Sequence, residues 1–489
     1  HTTHLAQFMK REPEALAAAQ LWVELEPDNL EAHSTLSTLL VRRGRVLEAM
    51  PHLAQVTRGG GDAPFPIVLT GFDKMSTTDQ ETLEERVSQL TEEFPNNTQL
   101  MLTQALILAE WNRAEQAMNR LMALFKLEPF HYQALLLEAK LLLERGHKEP
   151  FRRIAAALVA SPDDSRLRLQ YARLLTRDNI SAAREQFEIL SAQSPEDGDL
   201  LFSLALINRE MDDSTAAKRL LERLLELEKR ENDARYYLGR IAEEDGENLE
   251  LAVSHYMKVT AGRDFMSANH RLGRILVRTG QSERNHAYLD QLRNTNADQR
   301  EQLYALEVEL LTNANDDESA MAVLNQALVE LPHSTSLRYS RSMLAEQRDN
   351  LELMESDLRA IIVGEPDNAT ALNALGYSLA NRTERYDEAL ALITQALELS
   401  PEEPAVLDSM GWVLYHQGRY QEALEYLTRA YSKFPDPEVA AHLGEVLWVV
   451  GESKAAVRVW QGALLKQPDH QILRATLKRL DVELPEVNK

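Results

Sequence analysis

The chain has 489 residues, a formal net charge of −24 at pH 7 and no cysteine. The charge argues against general binding to nucleic-acid phosphates, and the lack of cysteine excludes disulfides and thiolate chemistry. No stretch approaches the roughly 18 to 20 apolar residues of a membrane-spanning helix. Apolar residues make up 44% of the chain and aromatic residues only 6%. With alanine, leucine, glutamate and arginine abundant, this composition is typical of an all-helical protein.

A helix-ending position recurs along the whole chain at intervals of 33 to 35 residues. Most of these marks are proline, which cannot continue a helix. The series is Pro27, Gly61, Pro95, Pro129, Pro162, Pro195, Lys229, Asp264, Ala297, Pro332, Pro366, Pro401, Pro435 and Pro468. Twelve residues before ten of the marks stands alanine: Ala15, Ala49, Ala117, Ala183, Ala217, Ala252, Ala320, Ala389, Ala423 and Ala456. The spacing predicts helix pairs from one end of the chain to the other.

An acidic or amide residue follows many of these marks. The residues concerned are Asp28, Asn96, Asp163, Glu196, Asp367, Glu402, Asp436 and Asp469. Side chains of this type accept hydrogen bonds from the free amides at a helix N-terminus, and the helix dipole favours their charge. We therefore expect each of them to cap the next helix or to lie in its first turn.

Residues 57–76 break the pattern with three consecutive glycines and two prolines. Pro66 is expected in the first turn of a helix, with Gly71 after it. We interpret the segment as a loosened repeat or hinge, and the alternative is a flexible joint or a loop that contacts a partner.

Two segments within residues 366–435 align with each other. The matched residues are Gly376 with Gly411, Tyr377 with Trp412, Tyr386 with Tyr420, Ala389 with Ala423, Ala396 with Ala430, and Pro401 with Pro435. This pattern resembles the tetratricopeptide repeat, a pair of antiparallel helices of 34 residues. The small Gly411 and Ala423 allow the two helices of one pair to approach closely, and Ala430 leaves room for the next pair.

The resemblance implies an all-α fold, a right-handed α-solenoid of about 13 tetratricopeptide repeats with a closing helix at about residues 471–480. We expect N-terminal repeats in residues 1–61. A continuous solenoid is expected in residues 62–482, with an irregular start at 57–76, followed by a tail at 483–489.

The sequence contains no recognisable catalytic motif. The patterns HExxH, GxSxG, GxxxxGK[ST] and GxGxxG are all absent. The thirteen histidines are scattered, and the acid pairs Glu84–Glu85 and Glu243–Glu244 are expected on solvated helix faces. We therefore predict a binding protein with no catalytic residues, no metal site and no cofactor.

In tetratricopeptide repeats the first helix of each pair lines the binding groove. Counting from the marks places six candidates on that face in two consecutive repeats: Tyr236, Tyr237, Arg240, Arg271, Arg274 and Arg278. The last three are spaced i, i+3, i+7 and share one helical face. Their guanidinium groups would suit an acidic peptide or a free carboxylate. The alternative is that these arginines are solvated and neutralise acids of adjacent repeats.

A second candidate surface lies in the repeat around Gly411. Trp412 and Tyr415 are on its first helix with His416, and His442, Glu445 and Trp448 follow in the next repeat. Exposed aromatic side chains in a groove suit peptide capture. The alternative is that they fill the core between helices.

The long uninterrupted array, residues 371–427 above all, is similar to large bacterial outer-membrane lipoproteins with tetratricopeptide repeats. The resemblance implies a periplasmic adaptor that touches the membrane only through a lipid anchor upstream of this sequence. Such an adaptor binds a carboxyl-terminal processing serine protease and presents peptidoglycan hydrolases to it. Two alternatives are a cytoplasmic assembly or regulatory scaffold, and a regulator linked to a catalytic domain outside this sequence.

Overall fold

The computed structural model describes residues 12–246 and 248–484. Regular structure in these two ranges consists of 27 α-helices and three short 3₁₀ helices. The chain divides into two compact units, residues 1–241 and 242–489. Most of the predicted tail at 483–489 lies outside the described residues.

The helices that begin in the first unit are α1 (Glu12–Leu25), α2 (Leu30–Arg42), α3 (Val46–Arg58), α4 (Thr77–Glu93), α5 (Thr98–Glu110), α6 (Ala114–Leu127), α7 (Tyr132–Glu144), α8 (Arg152–Ala160), α9 (Ser165–Asp178), α10 (Ile180–Gln193), α11 (Gly198–Glu210), α12 (Ser214–Glu226) and α13 (Glu231–Asp245). Those of the second unit are α14 (Leu249–Tyr256), α15 (Phe265–Arg278), α16 (Ser282–Thr295), α17 (Arg300–Asn313), α18 (Asp317–Glu330), α19 (Thr335–Gln347), α20 (Leu351–Gly364), α21 (Ala369–Arg382), α22 (Tyr386–Leu399), α23 (Pro404–His416), α24 (Tyr420–Lys433), α25 (Pro437–Val449), α26 (Ser453–Lys466) and α27 (Gln471–Arg479).

Within each unit the helices pack in consecutive pairs, which confirms the predicted all-helical repeat array. In the first unit α2 packs on α3, α5 on α6, α9 on α10 and α11 on α12. In the second unit α15 packs on α16, α17 on α18, α19 on α20, α21 on α22, α23 on α24 and α25 on α26. We call the two members of a pair the first helix and the second helix. The last helix, α27, packs on α25 and ends the array.

Small residues set the distance between the helices of a pair. All ten alanines that the spacing predicted at this position are fully buried, at 0% exposure. On the facing helix, a Cβ added to Gly411 would lie 2.5 Å from Cγ of Leu427 and 3.0 Å from the carbonyl oxygen of Ala423. No larger side chain fits between these helices, so the predicted packing role of Gly411 and Ala423 is confirmed.

The segment at 57–76 differs from the prediction. No α-helix begins at Pro66, because two 3₁₀ helices, Phe65–Leu69 and Phe72–Lys74, replace a first helix. Between them Gly71 has a φ of 75°, a left-handed conformation that suits glycine. Phe65 and Phe72 are buried in the hydrophobic core of the first unit. The segment is therefore an irregular repeat that keeps its core contacts.

The helix caps lie one residue later than predicted at most marks. Pro27 and Asp28 form the two central residues of a turn in which the Asn29 N–H donates to the Glu26 carbonyl at 3.0 Å. The cap is therefore Asn29, whose side chain accepts from the Ala32 N–H. The same shift gives Asn97, Asp164, Asp197 and Asn368 as caps. Asp436 caps its helix as predicted, because the turn before it is one residue shorter.

Replacing Gly444 by alanine tests how closely these helices must approach. The new Cβ would lie 2.1 Å from Nε1 of Trp460, a side chain with 0% exposure. We expect Gly444→Ala to lower the free energy of unfolding by about 1–3 kcal/mol, measured by thermal or urea denaturation.

Gly364→Ala is the matched control, because a Cβ at Gly364 meets nothing within 4 Å. Its better helix propensity should leave stability unchanged or raise it by up to about 1 kcal/mol. Equal stability of the two variants would contradict the proposed packing.

Candidate functional site

A groove of about 680 Å³ runs along four successive first helices of the second unit, α19, α21, α23 and α25. We call it the acidic groove. Its lining includes Tyr339, Glu346, Asn373, Tyr377, Asp408 and Glu438, with the helix-capping residues Glu403 and Asp436 at the starts of α23 and α25. The repeat thus places equivalent faces of neighbouring helices side by side to form one binding surface.

Five carboxylates line the acidic groove, and no lysine or arginine is found among its described lining residues. The five are Glu346, Glu403, Asp408, Asp436 and Glu438. Ser378 Oγ–H donates a hydrogen bond to Glu346 at 2.6 Å. Tyr377 Oη–H donates to Glu438 at the same distance. Burial first, then the charges of Glu438, Asp408 and Glu346, raise the pKa of Tyr377, as expected in a negative environment.

Asn373 contributes an unused acceptor to this groove. Its side chain lines the groove, and its Oδ1 atom is buried with no hydrogen-bond partner in the described part of the chain. A buried polar atom without a partner carries a free-energy cost that a ligand N–H can remove. Because Oδ1 itself is buried, the Asn373 amide must rotate into the groove before it can accept a hydrogen bond from the backbone of a bound segment.

Trp412 is not the exposed aromatic side chain expected from the sequence. It is only 6% exposed, and its ring stacks on His442 at 4.0 Å and on Tyr415 at 5.1 Å between centroids. Tyr415 is half-buried, and its Oη–H donates to Glu445 at 3.0 Å. A second cavity, of about 500 Å³, is lined by Trp412, Tyr415 and Arg479. A binding role for Trp412 and Tyr415 stays a prediction.

Arg271, Arg274 and Arg278, which we call the arginine stripe, are only partly available to a ligand. Arg271 Nη1 lies 2.9 Å and Arg274 Nη2 lies 2.6 Å from the carboxylate of Glu243, which also accepts the hydroxyl of Tyr256. Glu243 was expected on a solvated face, which is wrong because its side chain is 11% exposed. Burial acts to raise the pKa of Glu243, but the three donated hydrogen bonds outweigh it and the pKa is lowered. Arg278 is exposed and has no ion pair with any described residue.

Tyr236, Tyr237 and Arg240 lie on α13, in the part of that helix that belongs to the first unit. Tyr236 is 7% exposed and meets Tyr237 edge to face, with ring centroids 5.2 Å apart. Tyr237 in turn meets Phe202 edge to face at 5.6 Å. The tyrosine pair thus packs against its neighbours, and its predicted role in binding stays a prediction.

Sequence reasoning missed the acidic groove, although the same counting would have found it. Counted from the aligned glycines Gly273, Gly376 and Gly411, Tyr377 in α21 takes the position of Arg274 in α15. Asn373 in α21 and Asp408 in α23 both take the position of His270. Glu346 and Glu438 are supplied by the first helices on either side. The available signal was that the inward-facing positions of these consecutive repeats carry acidic residues and no lysine or arginine.

Residues 12–246 and 248–484 contain no group of three or more histidine, aspartate or glutamate side chains arranged to hold a metal ion. Within the same residues, no helix combines the length and the apolar composition that crossing a membrane requires.

The Asp408–His442 pair beside the groove makes a pH prediction. Both side chains are buried and lie 2.9 Å apart. Burial lowers the pKa of His442, but the Asp408 carboxylate outweighs it, so the pKa is raised above its ordinary value. The pair's contribution to stability is therefore complete below the unfolded-state pKa of histidine and is lost as pH rises through the higher folded-state pKa.

Asp408→Asn should accordingly lose more stability near pH 5.5 than near pH 9, measured by urea denaturation at both values. In a His442→Gln background, the same substitution should cost equally at the two pH values. A pH-independent cost in the original background would contradict the assigned ion pair.

Comparisons with known proteins agree with this architecture. Family models described as tetratricopeptide repeat match residues 209–264 and 367–436. The chain is 39% identical over 478 residues to TPR repeat-containing protein PA4667 of Pseudomonas aeruginosa, covering 97% of this chain and 81% of that relative.

Solved structures that match part or most of the chain include the thermophilic TPR protein TTC0263 of Thermus thermophilus. It is 19% identical, covers 37% of this chain and 100% of its own, and has a TM-score of 0.34. The Cut9–Hcn1 hetero-tetramer of the APC/C is 13% identical, covers 98% of this chain and 95% of its own, and has a TM-score of 0.36. From the P. aeruginosa relative, the chain belongs to the family of tetratricopeptide repeat proteins.

Proposed function

We propose that this chain is a non-enzymatic adaptor that holds a segment of a client protein in the acidic groove. The observation that carries the proposal is the groove itself, formed by four first helices, with apolar walls and the unpartnered acceptor of Asn373. The resemblance to bacterial outer-membrane lipoproteins with tetratricopeptide repeats implies that the client is a peptidoglycan hydrolase. It also implies that a second surface holds a carboxyl-terminal processing serine protease. The adaptor then acts on the periplasmic side of the outer membrane through a lipid anchor upstream of this sequence.

The proposed mechanism needs no chemistry from the adaptor. A client segment and a protease held on one chain meet at an effective concentration of about millimolar, far above their free concentrations. The peptide-bond cleavage belongs to the serine protease. The contribution of the adaptor is to bind, to orient and to release.

The binding residues predicted from the sequence differ in how accessible they are to a partner. Arg278 is exposed and Tyr415 borders the second cavity, so both are proposed as additional contacts for a partner. Arg271 and Arg274 would first have to leave the carboxylate of Glu243.

A reconstituted degradation assay tests this function. The purified chain is mixed with the processing protease and a peptidoglycan hydrolase, and loss of the intact hydrolase is followed by gel electrophoresis. Ala405 is exposed and lines the groove, so Ala405→Trp should obstruct it without burying the new ring. We expect the wild-type chain to accelerate degradation and the variant to lose most of that acceleration.

Ala391→Trp is the matched control, because Ala391 is exposed on the second helix α22 and lies outside the groove. It should accelerate degradation as the wild type does. No acceleration by the wild-type chain, with recovery of cytoplasmic assembly factors from cell extracts instead, would contradict the protease-adaptor function.

A further inference from the structure

We infer that the occupant of the acidic groove is an extended protein segment carrying lysine or arginine side chains. The inference rests on the proposed function, in that the groove holds part of a client protein. It assigns the chemical class of that segment. The positive charge of this segment is opposite to the charge of the acidic peptide that is expected to bind the arginine stripe.

The groove carboxylates have no lysine or arginine partner in the described part of the chain. Among the described residues, none of the five groove carboxylates is within ion-pair distance of a lysine or arginine. Within the same described residues, only Asp408 has a charged partner, the buried His442. The other four carboxylates have at most neutral donors: Ser378 for Glu346, Tyr377 for Glu438 and the Glu438 N–H for Asp436. With no cation paired to them, these carboxylates repel one another until one binds.

Acidic residues just outside the groove do have basic partners. Glu355 and Glu388, on the second helices α20 and α22, are both bonded to Arg385. Glu402, next to the groove residue Glu403, pairs with Arg429 and Lys433. The lack of arginine and lysine is thus a local property of the groove and does not simply follow from the net charge of −24.

The walls of the groove suit long basic side chains. Tyr339, Tyr377 and Phe434 line the groove, and Phe434 is 57% exposed. Aromatic faces attract ammonium and guanidinium groups, and the methylene stems of lysine and arginine pack on apolar walls. Met343 and Val406 supply such walls in the same groove.

The length of the groove favours a peptide over a small cation. Four neighbouring helices at about 9 Å spacing span about 30 Å, which matches about nine residues of extended chain. Once its amide rotates into the groove, the unpartnered Oδ1 of Asn373 can accept a backbone N–H, which a metal ion does not possess. The carboxylates are distributed along this length, and no metal-binding group is present in the part of the chain that the structure describes.

Binding of labelled peptides to the full chain tests the inference. The probes are three fluorescent peptides of about nine residues in which leucine alternates with lysine, glutamine or glutamate. Fluorescence anisotropy should show the lysine peptide binding at least about tenfold more tightly than the other two, with affinity falling as salt rises. Spermidine, a polycation without peptide groups, should displace it only weakly.

The triple variant Glu346→Gln, Glu403→Gln and Glu438→Gln removes three charges and keeps acceptors for Ser378 and Tyr377. It should weaken the lysine peptide by about tenfold or more. The control triple Glu352→Gln, Glu384→Gln and Glu425→Gln removes the same charge from exposed positions outside the groove, and should change affinity less than about twofold. Circular dichroism checks that both variants keep their helices.

Equal affinity for the three peptides, tighter binding of the glutamate peptide, or an unaffected groove variant would overturn the inference. Displacement by spermidine as strong as by free lysine peptide would overturn the choice of a protein segment. The two proposals fail separately. If the degradation assay succeeds while the lysine peptide shows no preference, the charge assignment is wrong; if the peptide result holds without accelerated degradation, the adaptor function is wrong.

Discussion

Close approach of two helices at small residues is the constraint on which the rest of this structure depends. Gly411 faces Leu427 across a gap that excludes even a methyl group, and Ala423 is fully buried beside it. The helix pair recurs every 33 to 35 residues, and alanine stands at this position before ten of the marks, so most pairs present their first helix in an equivalent way. Side chains at one repeat position therefore line up across successive pairs, and four such helices form the acidic groove.

The parts of the fold that follow from this constraint could be predicted from sequence. The ten alanines are buried as expected, since their position is fixed by sterics that do not depend on neighbouring repeats. The predicted helix caps lie one residue too early, because the proline and the residue after it form a turn and the cap comes next, as at Asn29. The structure of the segment at 57–76 was harder to predict. Its local sequence pattern allows an α-helix, whereas the segment forms two 3₁₀ helices that bury Phe65 and Phe72.

The candidate site was less predictable because access depends on side chains from other repeats. Arg271 and Arg274 share one helical face in the sequence pattern, yet the carboxylate of Glu243 in the preceding repeat forms an ion pair with each of them. Trp412 stands at an inward position, yet His442 of the following repeat stacks on it. A single repeat does not contain the information needed to decide whether such a residue is free. The groove carboxylates differ because no lysine or arginine of any adjacent repeat reaches them within the described chain, and only Asp408 has a histidine partner, His442.

Site-specific photo-cross-linking is the most direct test of the central claim, that the acidic groove is where a client segment lies. A benzophenone amino acid is introduced at Ala374, which lines the groove, and separately at the exposed Ala391 of α22. We expect a cross-link to the client from position 374 alone, on a client segment rich in lysine or arginine. Cross-links from position 391 and none from position 374 would contradict it.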